Sequence, residues 1–144
     1  MNTRAFGSGR PVSLFTLGTM RALNSAAQMA EVLDAAAAAG INHLETAPAY
    51  GPAERFLGEA LRQNSRTGSD HWVITSKLLP GLSFEEGQRR LDQILERLGC
   101  PQLDNLAIHG INREEHLDWA LGGDGSKLLD LSLIHISEPT RPFH

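Results

Sequence analysis

Cysteine, long apolar runs and positive charge are all scarce in this sequence. Cys100 is the single cysteine among 144 residues, so no internal disulfide can form and a disulfide-stapled scaffold is excluded. No apolar run approaches the roughly 18 to 20 residues that a membrane span needs. The first residues also lack the apolar core of a secretory signal. We therefore expect a cytoplasmic protein with no membrane partner.

Acidic and basic residues are present in similar numbers rather than concentrated in a stretch of one sign. The chain has 17 acidic and 13 basic residues, for a formal net charge of -4. The only adjacent basic pair, Arg89 and Arg90, lies beside Glu85 and Glu86 in a helical segment. Because no positive field and no basic stripe are present, we expect no nucleic-acid partner.

What the sequence does contain is a repeating strand and helix pattern. Short apolar runs at residues 11–18, 41–45, 72–78 and 103–108 predict four strands. A segment with apolar residues at helical spacing follows each of them. Helix signals mark their ends: Asn24 or Ser25 and Ser83 as N-caps, Gly40 and Gly99 as stops. The fourth helix is expected to bury Leu117, Ala120 and Leu121.

This alternation predicts the α/β fold class with a parallel sheet. Residues 3–6 and the turn at 7–10 are expected to add a small hairpin that closes the floor of the sheet. A complete (β/α)8 barrel typically needs about 250 residues. The expected architecture is therefore the N-terminal half of a (β/α)8 barrel, with about four βα units in residues 1–130.

Residues 131–144 do not continue the pattern. No helix of useful length is expected before them, and Pro139 and Pro142 interrupt them. Their amino-acid sequence resembles the translation of a sequencing adapter. We therefore expect a non-native tail and a native chain that stops near Asp130. The alternative is a genuine short strand followed by a proline-rich end.

Polar residues follow three successive predicted strands, where barrel enzymes place their chemistry. The relevant segments are residues 45–51, which read Glu-Thr-Ala-Pro-Ala-Tyr-Gly, residues 75–77 and residues 104–109. In order and spacing these segments resemble the active-site signatures of the aldo/keto reductase family. The family normally has Asp where this chain has Glu45.

The resemblance implies a catalytic set of Tyr50, Lys77, Glu45 and His109. Tyr50 would be the proton donor; a phenol holds its proton at pH 7 and needs help to release it. Lys77 would stabilise the phenolate, and Glu45 would hold the ammonium in place. His109 would orient the substrate carbonyl. The added methylene of Glu45 leaves open whether the carboxylate reaches the lysine correctly.

The same resemblance implies NADPH as cofactor and a small-molecule aldehyde or ketone as substrate, with no metal. Gly18, Thr19, Met20 and Glu45 are the residues expected beside the cofactor. The family holds most of the nucleotide with later strands, and no G-x-G-x-x-G fingerprint replaces them here. We therefore expect this chain to be inactive by itself, with unpaired strand edges and exposed apolar helix faces.

Three alternatives stay open. The departure at Glu45 also suits a regulatory homologue that binds the nucleotide with little turnover. Lys77 alone would suit a Schiff-base lyase or isomerase, although that leaves Tyr50 without a role. His43 and Glu45 share a strand face, so a metal site with His109 is conceivable, but His43 is more simply a residue of the barrel interior.

Overall fold

The computed structural model describes residues 2–6, 9–63 and 68–135 of the chain. Those residues form a small antiparallel hairpin and an open parallel sheet that is backed by helices on one face. The order of elements is β1 Thr3–Arg4, β2 Val12–Ser13, β3 Thr16–Gly18, α1 Ala26–Ala38, β4 His43–Glu45, α2 Ala53–Gln63, α3 Gly68–His71, β5 Val73–Leu78, α4 Phe84–Leu98, β6 Asn105–Ile108, α5 Glu114–Gly122 and α6 Asp124–His135.

The predicted first strand is divided between two sheets. Val12 and Ser13 pair antiparallel with β1, whereas Thr16–Gly18 forms the first strand of the parallel sheet. The predicted hairpin is therefore confirmed, although Gly7 and Ser8 of its turn lie outside the described residues. The Ser13 hydroxyl donates to the carbonyl of Phe15 at 2.6 Å, across the point where the chain leaves one sheet for the other.

The parallel sheet has the strand order β3-β4-β5-β6 in the part of the chain that the structure describes. Each strand pairs with the next along the chain, which is the arrangement that βα units produce. The strand register aligns Gly18 with Glu45 and Glu45 with Thr75. The expected α/β fold, with strands and helices of half a (β/α)8 barrel, is confirmed.

Helix ends follow the predicted capping chemistry. The Ser25 and Ser83 hydroxyls accept hydrogen bonds from the backbone amides of Gln28 and Glu86. Gly99 closes α4 with a left-handed φ of 66°, a conformation that favours glycine. These caps fix where α1 and α4 begin and, for α4, where it ends.

The core lies between the outer face of the sheet and the helices α1, α2 and α4. It is almost entirely aliphatic, with one large aromatic side chain, Trp72. Its most completely buried members are Met29, Leu33, Leu44, Leu57, Trp72, Leu78, Ile94, Leu98, Leu103, Leu106 and Leu128. Among the residues described, none of the helices is both long and apolar enough to cross a membrane.

The last two helices differ from the sequence prediction. Ala120 is buried, but Leu117 and Leu121 are 44% and 66% exposed, so their predicted burial is wrong. The indole of Trp119 donates to the Leu82 carbonyl at 2.7 Å and turns its own face of α5 inward. Residues two positions away lie about 200° around a helix, so Leu117 and Leu121 point outward.

The expectation that no useful helix precedes residue 131 is also wrong. Helix α6 begins at Asp124, whose carboxylate accepts a hydrogen bond from the Phe84 amide at 3.1 Å. Leu128 of α6 packs on Gly87 and belongs to the core. Helix α6 runs past residue 130, where the sequence analysis places the end of the native chain. The division into residues 1–130 and a non-native tail stays a prediction. Residues 136–144 lie outside the described residues.

Candidate active site

The carboxyl ends of the parallel strands meet at one rim of the sheet. Gly18 ends β3 and Glu45 ends β4, while Lys77 is the penultimate residue of β5. His109 follows β6 directly, and its amide donates to the Leu78 carbonyl at 2.7 Å. The strand topology therefore brings to one rim the residues that the sequence spreads over about ninety positions.

Tyr50 lies in the turn between β4 and α2. Its amide donates to the Ala47 carbonyl at 3.1 Å, and its carbonyl accepts from the Ala53 amide at 3.2 Å. Gly51 has a φ of 58°, which a residue with a side chain rarely adopts. The backbone on both sides of Tyr50 is thus fixed by local hydrogen bonds and by the start of α2.

Lys77 joins the other residues of the site. Its Nζ lies 2.5 Å from Oε1 of Glu45 and 2.7 Å from the hydroxyl oxygen of Tyr50. A third, longer contact reaches the Thr46 carbonyl at 3.4 Å. An ammonium has three protons, so these contacts account for all of them. Because Lys77 donates to the phenol oxygen, the phenol's own proton stays available for another acceptor.

Glu45 reaches the lysine despite its additional methylene. The Lys77 side chain is 12% exposed and the Glu45 side chain 42% exposed, so the pair spans the boundary between the sheet interior and solvent. A carboxylate in this position pairs with the ammonium and holds it in place. The Glu45 carboxylate therefore reaches the Lys77 ammonium even though its side chain is one methylene longer than that of Asp.

His109 lies on the other side of Tyr50. The two rings meet edge to face, with centroids 5.8 Å apart and planes at 77°. His109 and Lys77 also line a cavity of about 180 Å³ together with Pro48, Ala49, Leu78, Leu79, Leu82 and Arg90. The walls of this cavity therefore present both a lysine and a histidine to a small polar ligand.

The residues expected beside a cofactor are placed in three different ways. Gly18 faces open space, since a Cβ at this position would have no atom within 4 Å. Met20 is 51% exposed. Thr19 is buried, and both its amide and its hydroxyl donate to the Glu45 carbonyl at 3.1 Å. The open space at Gly18, which pairs with Glu45 in the sheet, and the exposed Met20 leave room for a flat ring at this end of the rim.

His43 has its ring nitrogens occupied by two threonines. Nδ1 lies 2.9 Å from the Thr16 hydroxyl and Nε2 lies 2.8 Å from the Thr75 hydroxyl. Burial lowers the pKa of His43, while the charges of Glu45 and Asp104 act in the opposite direction. The prediction of a barrel-interior residue is confirmed. Over the described ranges, no group of three or more His, Cys, Asp or Glu side chains is arranged to hold a metal ion.

Sequence reasoning missed one charged residue close to the site. Glu54, in the first turn of α2, is 1% exposed and contacts Ser76 and Arg97. Burial raises the pKa of Glu54, while hydrogen bonds from Ser76 and Arg97 oppose that effect. The only sequence signal was its place among apolar residues of an amphipathic helix, where an acidic residue is ordinarily read as exposed.

Taken together, the alternating elements and the polar rim define a partial (β/α)8 barrel of the enzyme type. The family model for the aldo/keto reductase family matches residues 14–138. This chain therefore belongs to the aldo/keto reductase family, which supports an oxidoreductase function of the reductase type.

Solved structures agree with this assignment. A protein from Pseudomonas aeruginosa assigned to the aldo-keto reductases is 28% identical, with a TM-score of 0.82 over 96% of this chain and 58% of its own. A second structure from that organism, with the same assignment, is 28% identical over 96% of this chain and 59% of its own, with a TM-score of 0.81. An aldo-keto reductase from Bacillus halodurans in its holo form shares the fold, at 21% identity and a TM-score of 0.79 over 98% and 50% of the two chains. This chain thus spans between half and three fifths of these three chains.

Proposed function

We propose that this chain carries the proton-donating part of an NADPH-dependent reductase that converts an aldehyde or ketone to an alcohol. The observation that supports this most directly is the contact of 2.7 Å between Lys77 Nζ and the Tyr50 hydroxyl oxygen. The direction of that hydrogen bond leaves the phenol proton for a substrate oxygen.

The proposed roles follow from the contacts. Tyr50 donates its proton to the carbonyl oxygen as that oxygen gains negative charge. Lys77 stabilises the phenolate that forms, and Glu45 keeps the ammonium in place. His109, beside Tyr50 at the wall of the cavity, hydrogen-bonds the same carbonyl oxygen and orients it.

The cofactor side of the site is proposed on the open surface beside Glu45. A reduced nicotinamide supplies a hydride to the carbonyl carbon when it is bound. Gly18 and Met20 would lie against its ring with Glu45, while Thr19 fixes the backbone of Glu45 through two hydrogen bonds. NADPH as the particular nucleotide is part of this proposal.

We propose further that the 144-residue chain alone has no measurable turnover. In the portion of the chain that the structure describes, β3 and β6 are the outer strands of an open sheet, and Phe15 and Leu121 are 67% and 66% exposed. An open sheet admits water to the site, which weakens every electrostatic contact there.

The test uses a fused barrel, in which residue 130 is continued by the C-terminal part of the first Pseudomonas relative that this chain does not cover. We expect the folded fused barrel to oxidise NADPH when an aromatic aldehyde is added, measured by the loss of cofactor absorbance. The 144-residue chain is the matched comparison and is expected to give no oxidation above the blank. A folded fused barrel without oxidation would contradict the proposed reaction, and turnover by the chain alone would contradict the proposed inactivity.

The regulatory alternative, a nucleotide-binding homologue with little turnover, draws its support from the exchange of Asp for Glu45. The contact of 2.5 Å between Glu45 and Lys77 favours a working catalyst instead. Exchange of Glu45 for Asp separates the two proposals, as described in the Discussion.

A further inference from the structure

A second carboxylate lies behind the proposed site, on the opposite face of the sheet. Ser76 immediately precedes Lys77 on β5, and successive strand residues point to opposite faces. Lys77 points into the site, whereas Ser76 is fully buried against the helices. The Ser76 hydroxyl donates to Oε2 of Glu54 at 2.8 Å.

Glu54 also belongs to the element that fixes Tyr50. It is the second residue of α2, and the preceding residue, Ala53, donates its amide to the Tyr50 carbonyl. One carboxylate therefore connects the strand residue next to Lys77 with the helix that starts at Tyr50. The connection is short, because a single hydrogen bond separates Glu54 from β5.

Arg97 completes the arrangement from α4. Its Nε donates to Oε1 of Glu54 at 2.8 Å, so each carboxylate oxygen has its own donor. The Arg97 side chain is 35% exposed, whereas that of Glu54 is 1% exposed. Gly58, one turn along α2 from Glu54, contacts the Arg97 carbonyl directly and allows the two helices to approach. Three elements are thereby held at one buried point.

A buried ion pair is weak evidence for stability, because the cost of removing two charges from water can exceed their attraction. The more informative feature is what this pair joins. We infer that Glu54 is a positioning residue that sets the separation of Tyr50 and Lys77 by holding Ser76 on β5 against the start of α2. This inference rests on the proposed function for its catalytic meaning, although the positioning itself is a property of the folded chain.

The chain offers a direct probe, since Tyr50 is its only tyrosine. Tyrosine labelled with ¹³C at Cζ gives one resonance, whose position reports the hydrogen bond that Lys77 donates to the phenol oxygen. The experiment records this resonance in the 144-residue chain at neutral pH. We expect Ser76→Ala to move the resonance toward that of free tyrosine or to broaden it, because β5 loses its tie to Glu54.

Ser13→Ala is the matched control. Ser13 is also a buried serine with a hydrogen-bonded hydroxyl, but it lies in the hairpin, away from the rim. We expect Ser13→Ala to leave the Tyr50 resonance in place at a similar loss of stability. Equal effects of the two variants, or no effect of Ser76→Ala, would overturn the inference.

A second variant separates positioning from stability. Glu54→Met together with Arg97→Met replaces the ion pair by apolar side chains of similar size, a change that often keeps or raises stability. We expect this double variant to remain folded and still to shift the Tyr50 resonance. A folded double variant with an unshifted resonance would overturn the inference even if Ser76→Ala did not fold. Because no turnover is measured, failure of the reductase proposal would leave this result intact.

Discussion

The ammonium of Lys77 lies 2.7 Å from the phenol oxygen of Tyr50, and it is the donor in that hydrogen bond. The phenol proton is therefore directed away from the lysine. In the proposed mechanism Tyr50 is the acid and Lys77 its electrostatic support, and the two roles have separable consequences for activity.

Tyr50→Phe removes the proposed proton donor and keeps the ring. In the fused barrel we expect kcat to fall by about 10²–10⁴-fold, the usual contribution of general acid catalysis. The affinity for cofactor should change little, because the ring still fills its place. Steady-state reduction and cofactor titration measure the two quantities. A kcat within a few-fold of the unsubstituted fused barrel would show that another group supplies the proton.

Glu45→Asp restores the residue that is usual in the family. The Glu45 carboxylate already contacts Lys77 at 2.5 Å, so shortening the side chain by one methylene withdraws it from the ammonium. We expect the reduction rate of the fused barrel to fall, by up to about 10²-fold for a displacement near 1 Å. A large gain in rate would instead favour a homologue that has lost turnover. Glu31→Asp, in the exposed part of α1, is the matched control.

The lowered pKa of the buried His43 leads us to expect that the stability of the chain depends on pH. Burial lowers its pKa in the folded chain below the ordinary value of 6.5, so the unfolded chain binds the proton more readily between the two values. The contribution to stability is present above pH 6.5 and is lost as the pH falls through the folded value. Denaturant unfolding from about pH 8 to about pH 5 should show this loss.

His43→Gln should flatten that part of the curve, because its side chain does not titrate. His116→Gln is the control, since His116 is only partly buried on α5. If the unsubstituted chain and His43→Gln lost stability in parallel over this range, the assignment to His43 would be wrong.

Gly58→Ala tests the close approach of α2 and α4. A Cβ at Gly58 would collide with the backbone carbonyl of Arg97, which has no flexible end to move. We expect a loss of about 1–3 kcal/mol in the free energy of unfolding, the usual cost of overpacking. Gly122→Ala is the matched control, because a Cβ there meets nothing within 4 Å at the end of α5. Alanine is the better helix former, so Gly122→Ala should be neutral or stabilising. Equal responses of the two variants to denaturant would contradict the packing argument.

Much of this fold follows from local chemistry in the sequence. Ser25 and Ser83 mark helix starts because their hydroxyls accept hydrogen bonds from backbone amides three residues on. Gly99 marks a helix end because it adopts the left-handed conformation that closes α4. The meeting of Glu45, Tyr50 and Lys77 is also predictable, because parallel strands that alternate with helices place their carboxyl ends at one rim.

The parts that sequence reasoning missed depend on partners distant in the chain. An apolar stripe at Leu117 and Leu121 does not show whether anything covers it, and the hydrogen bond from Trp119 to Leu82 decides the rotation of α5. A nearly continuous apolar run at residues 11–18 does not show where the chain changes sheets. Nothing near Glu54 in the sequence marks it as buried, since its donors Ser76 and Arg97 are 22 and 43 positions away.

The neighbour-to-neighbour order of the parallel strands bears on how the chain folds as it is synthesised. Each of β4, β5 and β6 pairs with the strand synthesised just before it, across one helix or, for β5, across α2 and the short α3. The core cluster from Met29 to Leu128 can therefore assemble progressively during translation, without waiting for contacts from a distant part of the polypeptide.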